Sequence, residues 1–190
     1  MRNAALLGLF SAMTVFGQGT YVIDSAHSGA SFSVKHMMVS TVRGQFSKVA
    51  GTIVYDEKNL GASRVDATID VTTINTREEK RDAHLKSPDF FDSEKYNTMS
   101  FKSTSFYREG GKLMIKGDLT IHGITKPVVL AVDGPSPEVK GMGGVRVGAT
   151  ATTTINRKDF GLTWNRALEA GGVMVGEDVQ VTVDIEAVKK

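Results

Sequence analysis

Val179-Gln180-Val181-Thr182-Val183-Asp184-Ile185 decides the fold. Apolar and polar residues alternate over seven positions. Successive side chains of a strand point to opposite faces, so Val179, Val181, Val183 and Ile185 share one face and Gln180, Thr182 and Asp184 the other. One dry face and one wet face describe an antiparallel sheet. The same period recurs in Ser31-Phe32-Ser33-Val34-Lys35-His36, with Phe32, Val34 and His36 on one side and Ser31, Ser33 and Lys35 on the other. It recurs again over 65–71 and 113–116. Further strands are expected over 20–23, 50–56, 97–106, 117–122, 127–133, 144–155 and 172–176. Turn signals part them: Glu57-Lys58-Asn59, Glu109-Gly110-Gly111, Asp133-Gly134-Pro135 and Gly141-Met142-Gly143-Gly144. Gly110-Gly111 between two alternating runs reads as a hairpin.

Eight or more strands with one apolar face can form a sandwich or close into a barrel. The pattern alone does not choose. A barrel of about eight strands has room inside for its own side chains or for one small ligand. The 190 residues amount to one domain of ordinary size, with 41% hydrophobic residues to build its core. Lys and Arg total 23 against 21 Asp and Glu, a net charge of +2. That balance does not suggest nucleic-acid binding, which needs a concentrated basic face. The chain has no cysteine, which excludes disulfides, thiolate metal sites and a cysteine nucleophile.

The first residues read as a secretory signal. Arg2 gives a basic start, Ala4 to Phe16 is nearly all apolar, and Gly17-Gln18-Gly19 places small residues two apart. The apolar run is too short for a membrane span, which needs about 20 residues. Cleavage is expected near Gly17 or Gly19, releasing a domain of residues 20–190 into a periplasm without stable membrane insertion.

One helix is expected. Thr76-Arg77-Glu78-Glu79 matches a capping box, with the helix running to about Leu85. Ser87-Pro88 stops it, and Phe90 and Phe91 follow where a turn could lay both over the open end of a barrel. The four histidines, His27, His36, His84 and His122, contain no pair at the spacing of a local metal motif. Asp82 and His84, two apart, are the residues a hydrolase could use. The plainer reading has Arg81, Asp82 and His84 pinning the helix to the sheet. Asp24, Asp82 and Asp159 read as fold support through buried hydrogen bonds. The glycines of 141–144 lack the Lys and Ser/Thr of a phosphate-binding loop. The aromatic set could fill a barrel or line a hollow one.

Several segments together resemble the YceI-like family, polyisoprenoid-binding proteins of bacterial periplasms. They are Ile23-Asp24-Ser25-Ala26-His27-Ser28, Phe32-Ser33-Val34-Lys35-His36-Met37, Gly44-Gln45-Phe46, Arg81 through Asp92, Leu119 through Val128, and Arg157-Lys158-Asp159-Phe160-Gly161. The resemblance runs from about Tyr21 to the C-terminus. It implies an all-β, mainly antiparallel, lipocalin-like closed barrel of about eight strands with a short helix over one end. It implies a binding or carrier protein, not an enzyme, with no cofactor beyond a bound isoprenoid lipid, either a polyprenyl phosphate or an isoprenoid quinone. A homodimer is part of the same expectation. The expected ligand-binding residues are Phe32, Val34, His36, Phe46, Arg81, His84, Phe90, Phe91, Phe101, Arg157, Phe160 and Trp164. His36, Arg81, His84 and Arg157 are assigned to the mouth and the head group. A stress-related structural protein with a filled barrel is the competing reading, and a hydrolase or isoprenoid-modifying enzyme using Asp82 and His84 is the other.

Overall fold

The structure is a computed structural model that describes residues 18–141, 143–169 and 171–190. Residues 1–17 of the expected signal segment, Met142 of the glycine-rich turn and Ala170 lie outside the described residues, whereas Gly19 already begins the first strand.

The elements are β1 (Gly19–Ile23), β2 (Gly29–His36), β3 (Ser40–Phe46), β4 (Val49–Tyr55), β5 (Arg64–Asp70), α1 (Glu79–Lys86), β6 (Thr98–Glu109), β7 (Lys112–Ile121), β8 (Ile124–Asp133), β9 (Val139–Gly141), β10 (Gly144–Asn156) and β11 (Val175–Lys189). All pairings are antiparallel, in the order β11-β1-β4-β5-β6-β7-β8-β10, and β10 returns to β11. Eight strands therefore close into a barrel, which leaves few bare edges. The β2–β3 hairpin prolongs the wall: β1 pairs with β11 near Ala187, and β2 takes over from Asp184 to Val175.

The pattern of two placed most strands correctly. Gly110 and Gly111, at φ 57° and 82°, form the left-handed two-residue turn between β6 and β7. Runs 113–116 and 117–122 are one strand, β7, because Gly117 does not break it. Its missing side chain makes room for the ring of Phe101, which a Cβ would approach to 2.4 Å. The expected strand at 172–176 is only the start of β11. Strand β3 was not anticipated. Gly44 interrupts its pattern and lies under the Phe32 ring.

The helix starts later than the capping box predicts. Glu78 caps it, its carboxylate accepting from the amides of Lys80 and Arg81. Arg77 at φ 65° turns the chain first, so Thr76 faces inward and donates from both amide and hydroxyl to Asp82 Oδ1, at 2.8 and 2.5 Å. Phe90 and Phe91 follow in a turn that closes this end of the barrel.

Two apolar clusters sit at opposite ends. Ile23, Phe46, Val71, Ile74, Ile121 and Phe160 lie under the helix and the 157–162 turn. Tyr21, Tyr55, Phe106, Leu113 and Val147 lie at the hairpin end.

Candidate ligand cavity

Between the clusters the barrel is hollow. The space is about 180 Å³ and is lined almost wholly by carbon. About 10–15 Å³ on this measure admits one water, so the hollow is large for a folded interior. Its walls are the inward halves of the alternating strands: Val181, Val183 and Ile185 of β11, Val65, Ala67 and Ile69 of β5, and Val128, Leu130 and Val132 of β8. A filled barrel is not what these side chains make.

At the hairpin end the lining includes Tyr21, Tyr55 and Pro135. The Tyr21 hydroxyl donates to Glu138 Oε1 at 2.7 Å, and Lys189 Nζ reaches the same oxygen at 2.7 Å. Burial, and then the neighbouring Glu138 carboxylate, raise the Tyr21 phenol far above its usual value. Burial also raises Tyr55. Both rings therefore stay neutral. Lys189 holds Glu138 below the usual carboxylate range.

The helix end is plugged by aromatic rings. Phe32 and Phe46 meet at 5.7 Å, Phe46 and Phe91 edge to face at 5.8 Å. His84, Phe90 and Trp164 form a second set with centroid separations of 4.9–5.2 Å. Phe160 is 1% exposed.

Of the twelve residues expected to touch ligand, Phe101 alone is among the described residues lining the cavity. Phe32, Phe46, Phe91 and Phe160 belong to the plug's core. His84 and Trp164 are half-buried and pack on the buried Phe90. Val34 and His36 lie in β2, pairing across to Val179 and Val175 of β11. Arg81 donates to Thr76 Oγ1 and to its carbonyl, each at 2.8 Å. Arg157 is 4% exposed and donates to the carbonyls of Gly176, Val175 and Leu162. Burial lowers its pKa from the usual arginine value. These arginines hold backbone together in the present structure.

Asp82 and His84 point to different partners. Asp82 binds Thr76, whereas His84 Nε2 lies 2.9 Å from Asp89 Oδ2. Asp24 and Asp82 do support the fold, but Asp159 is exposed rather than buried. Asp24, His27 and Glu186 gather ligand atoms within 4.8 Å of one another. Arg146 already supplies the positive charge there, donating from Nη1 to both Asp24 Oδ2 and Glu186 Oε1. Arg146, with His27 as a lesser cause, holds Asp24 well below the usual carboxylate range.

The lining residues missed from the sequence include Tyr21, Tyr55 and the small aliphatic side chains. The signal that could have found them was the alternation itself.

The fold and its hollow interior define a closed antiparallel barrel built around an apolar space. The chain belongs to the YceI-like domain family, which matches residues 21–187. It is similar to a UPF0312 protein of Vibrio cholerae, 41% identical over 75% of this chain and 77% of that one. A UPF0312 protein of Staphylococcus aureus is 38% identical over 87% of this chain and 95% of that one. Among solved structures, Burkholderia cenocepacia BcnA superposes with a TM-score of 0.74 at 23% identity, covering 87% of this chain and 99% of its own. The Campylobacter jejuni YceI protein gives 0.66 at 28% identity, covering 82% and 89%. A domain from Saccharophagus degradans described as polyisoprenoid-binding gives 0.64 at 15% identity, covering 90% and 98%.

Proposed function

We propose that this protein is a carrier that holds the tail of an isoprenoid lipid inside its barrel. The observation that carries the reading is the hollow between the two end clusters, about 180 Å³ with an almost purely carbon lining. From Val181 to Ala187, alternate residues of β11 follow it for about 20 Å, at about 3.3 Å per residue. That is long and narrow, the shape of a branched hydrocarbon chain rather than of a compact metabolite. Burying apolar surface contributes about 25 cal/mol per Å², so several hundred Å² of tail can outweigh the cost of association. Among the described residues every buried side-chain nitrogen and oxygen has a partner within the protein. The interior therefore asks for no polar group, and recognition along the tail is loose. A polyprenyl phosphate and an isoprenoid quinone both satisfy it. The apolar segment after Arg2 supports export to a periplasm, where such a tail needs protection from water.

The test is a titration of delipidated protein with geranylgeraniol and with a straight-chain alcohol of equal length, followed by native mass spectrometry. A one-to-one complex with the isoprenoid that survives desolvation supports the reading. Absence of any complex overturns it.

A further inference from the structure

The barrel wall is not evenly paired. β7 is joined to β8 from Leu113↔Val132 to Ile121↔Ile124, and β10 is joined to β11 from Arg146↔Val188 to Asn156↔Asp178. Between β8 and β10 the described ladder has only three rungs: Thr150↔Asp133, Ala151↔Val132 and Thr152↔Ala131. Continued in that register, Leu130 would face Thr153, Val129 would face Thr154, Val128 would face Ile155 and Pro127 would face Asn156. None of these four pairs is made. The strands part over a stretch of about 13 Å, at about 3.3 Å per residue.

The sequence gives a reason. Proline has no amide proton for a ladder and is confined to sheet edges. Pro127 is paired on its other side with Asp118 of β7, so its bare edge faces β10. The parted strands carry the side chains that line the hollow: Val128 and Leu130 on one bank, Ala151 and Thr153 on the other. Among the described residues no strand is inserted between β8 and β10. Its frame is firm. The three rungs close one end. The Arg157–Phe160 turn, held by the Arg157 guanidinium, lies at the other. There a Cβ on Gly161 would come within 3.0 Å of Ile124.

The alternative routes disturb contacts that the structure makes. Entry from the helix end would displace Phe46 and Phe160 from a packed core, and entry from the other end would break the Tyr21–Glu138 bond. Widening the seam breaks none of the described ladder pairs, because the described pairing of β8 with β10 ends at Thr152↔Ala131.

We propose that the seam between β8 and β10 is the portal through which the isoprenoid tail enters and leaves the barrel sideways. This rests on the carrier reading above.

The chain has no cysteine, so a pair placed across the seam is unique. Val129→Cys with Thr154→Cys puts two thiols on its outer face, to be bridged by a short, reductively cleavable bis-maleimide. Lys102→Cys with Asp118→Cys places the same bridge across the paired strands β6 and β7. Geranylgeraniol is supplied from phosphatidylcholine vesicles, and its uptake is followed by native mass spectrometry. The seam bridge is expected to slow uptake by roughly tenfold or more, as closing a gate does. Cleaving the bridge restores the rate, and a bridge closed after loading traps the lipid. The β6–β7 bridge leaves uptake unchanged. Equal uptake with the seam bridged and unbridged overturns the portal while leaving the carrier reading intact. No uptake by any form, bridged or not, overturns both.

Discussion

Filling the hollow from inside separates the ligand from the fold. Ala67 lies on β5, faces the cavity, and sits on the wall away from the β8–β10 seam. Ala67→Phe would project a ring into the 180 Å³ space. Cavities destabilise by about 24 cal/mol per Å³, so filling about half of this one recovers about 2 kcal/mol. Strain from overpacking removes about 1–3 kcal/mol. The two nearly cancel, and the variant should melt close to wild type. Binding behaves differently. A ligand at about 100 times its Kd adds about 2.7 kcal/mol to the folded state. For a domain of this size each kcal/mol is worth about 2–4 °C, so wild type should gain about 5–10 °C with geranylgeraniol. Ala67→Phe should gain about 2 °C or less by the same relation. Differential scanning calorimetry of both proteins, with and without the lipid, gives all four values. Equal lipid-induced shifts in the two proteins would refute the reasoning, since the ligand would then lie outside the barrel.

Other changes test the framework around the cavity. Phe32→Asp places an unpaired charge against Phe46 and should cost more than about 4 kcal/mol, abolishing the cooperative melt. Lys35→Glu on the wet face of the same strand should stay within about 0.5 kcal/mol of wild type. Matched melting curves for these two variants would sink the inside–outside assignment. Arg157→Lys loses the planar fork shared among three carbonyls and should cost about 2–4 kcal/mol in urea unfolding. A change below about 0.5 kcal/mol would show that the guanidinium is not a strut. Asp24 has a folded pKa below its unfolded value, so its contribution is fully present above about pH 4 and fades as pH falls further. The urea midpoint of wild type should therefore drop as pH falls below about 4, and Asp24→Asn should flatten that drop. An identical acid limb in both proteins would remove Asp24 from the account.

Much of the fold was legible because burial enforces a period of two. Val179 to Ile185 had to present one face to a core, and no helix would have done so. Closure was not legible from the pattern. It depends on β10 meeting β11 over eleven residue pairs, a long-range pairing that no local signal records. β3 escaped because Gly44 is kept small by a ring from the neighbouring strand, a tertiary cause. The helix cap moved because Arg77 takes a left-handed turn that spends Thr76 on Asp82.

Most of the residues expected to touch a ligand lie outside the cavity lining. Aromatic residues attract suspicion, yet rings such as Phe46, Phe91 and Phe160 are large enough to fill a barrel's end and so become the plug. The hollow is left where the side chains are smaller, along Ala67, Val128 and Val183. Polar residues in the family-like segments, Asp24, Ser28, Asp82 and Arg157, hold turns and strand ends. Ser28, for example, joins its hydroxyl to both the carbonyl and the amide of Glu186.

The most direct test is photocrosslinking with a farnesyl chain that carries a diazirine at its tail, followed by peptide mapping. The account predicts label on inward residues of the barrel, such as Ile53, Leu119 and Val183. Label confined to outward residues, such as the exposed Met38 and Val39 of the β2–β3 turn, would contradict it.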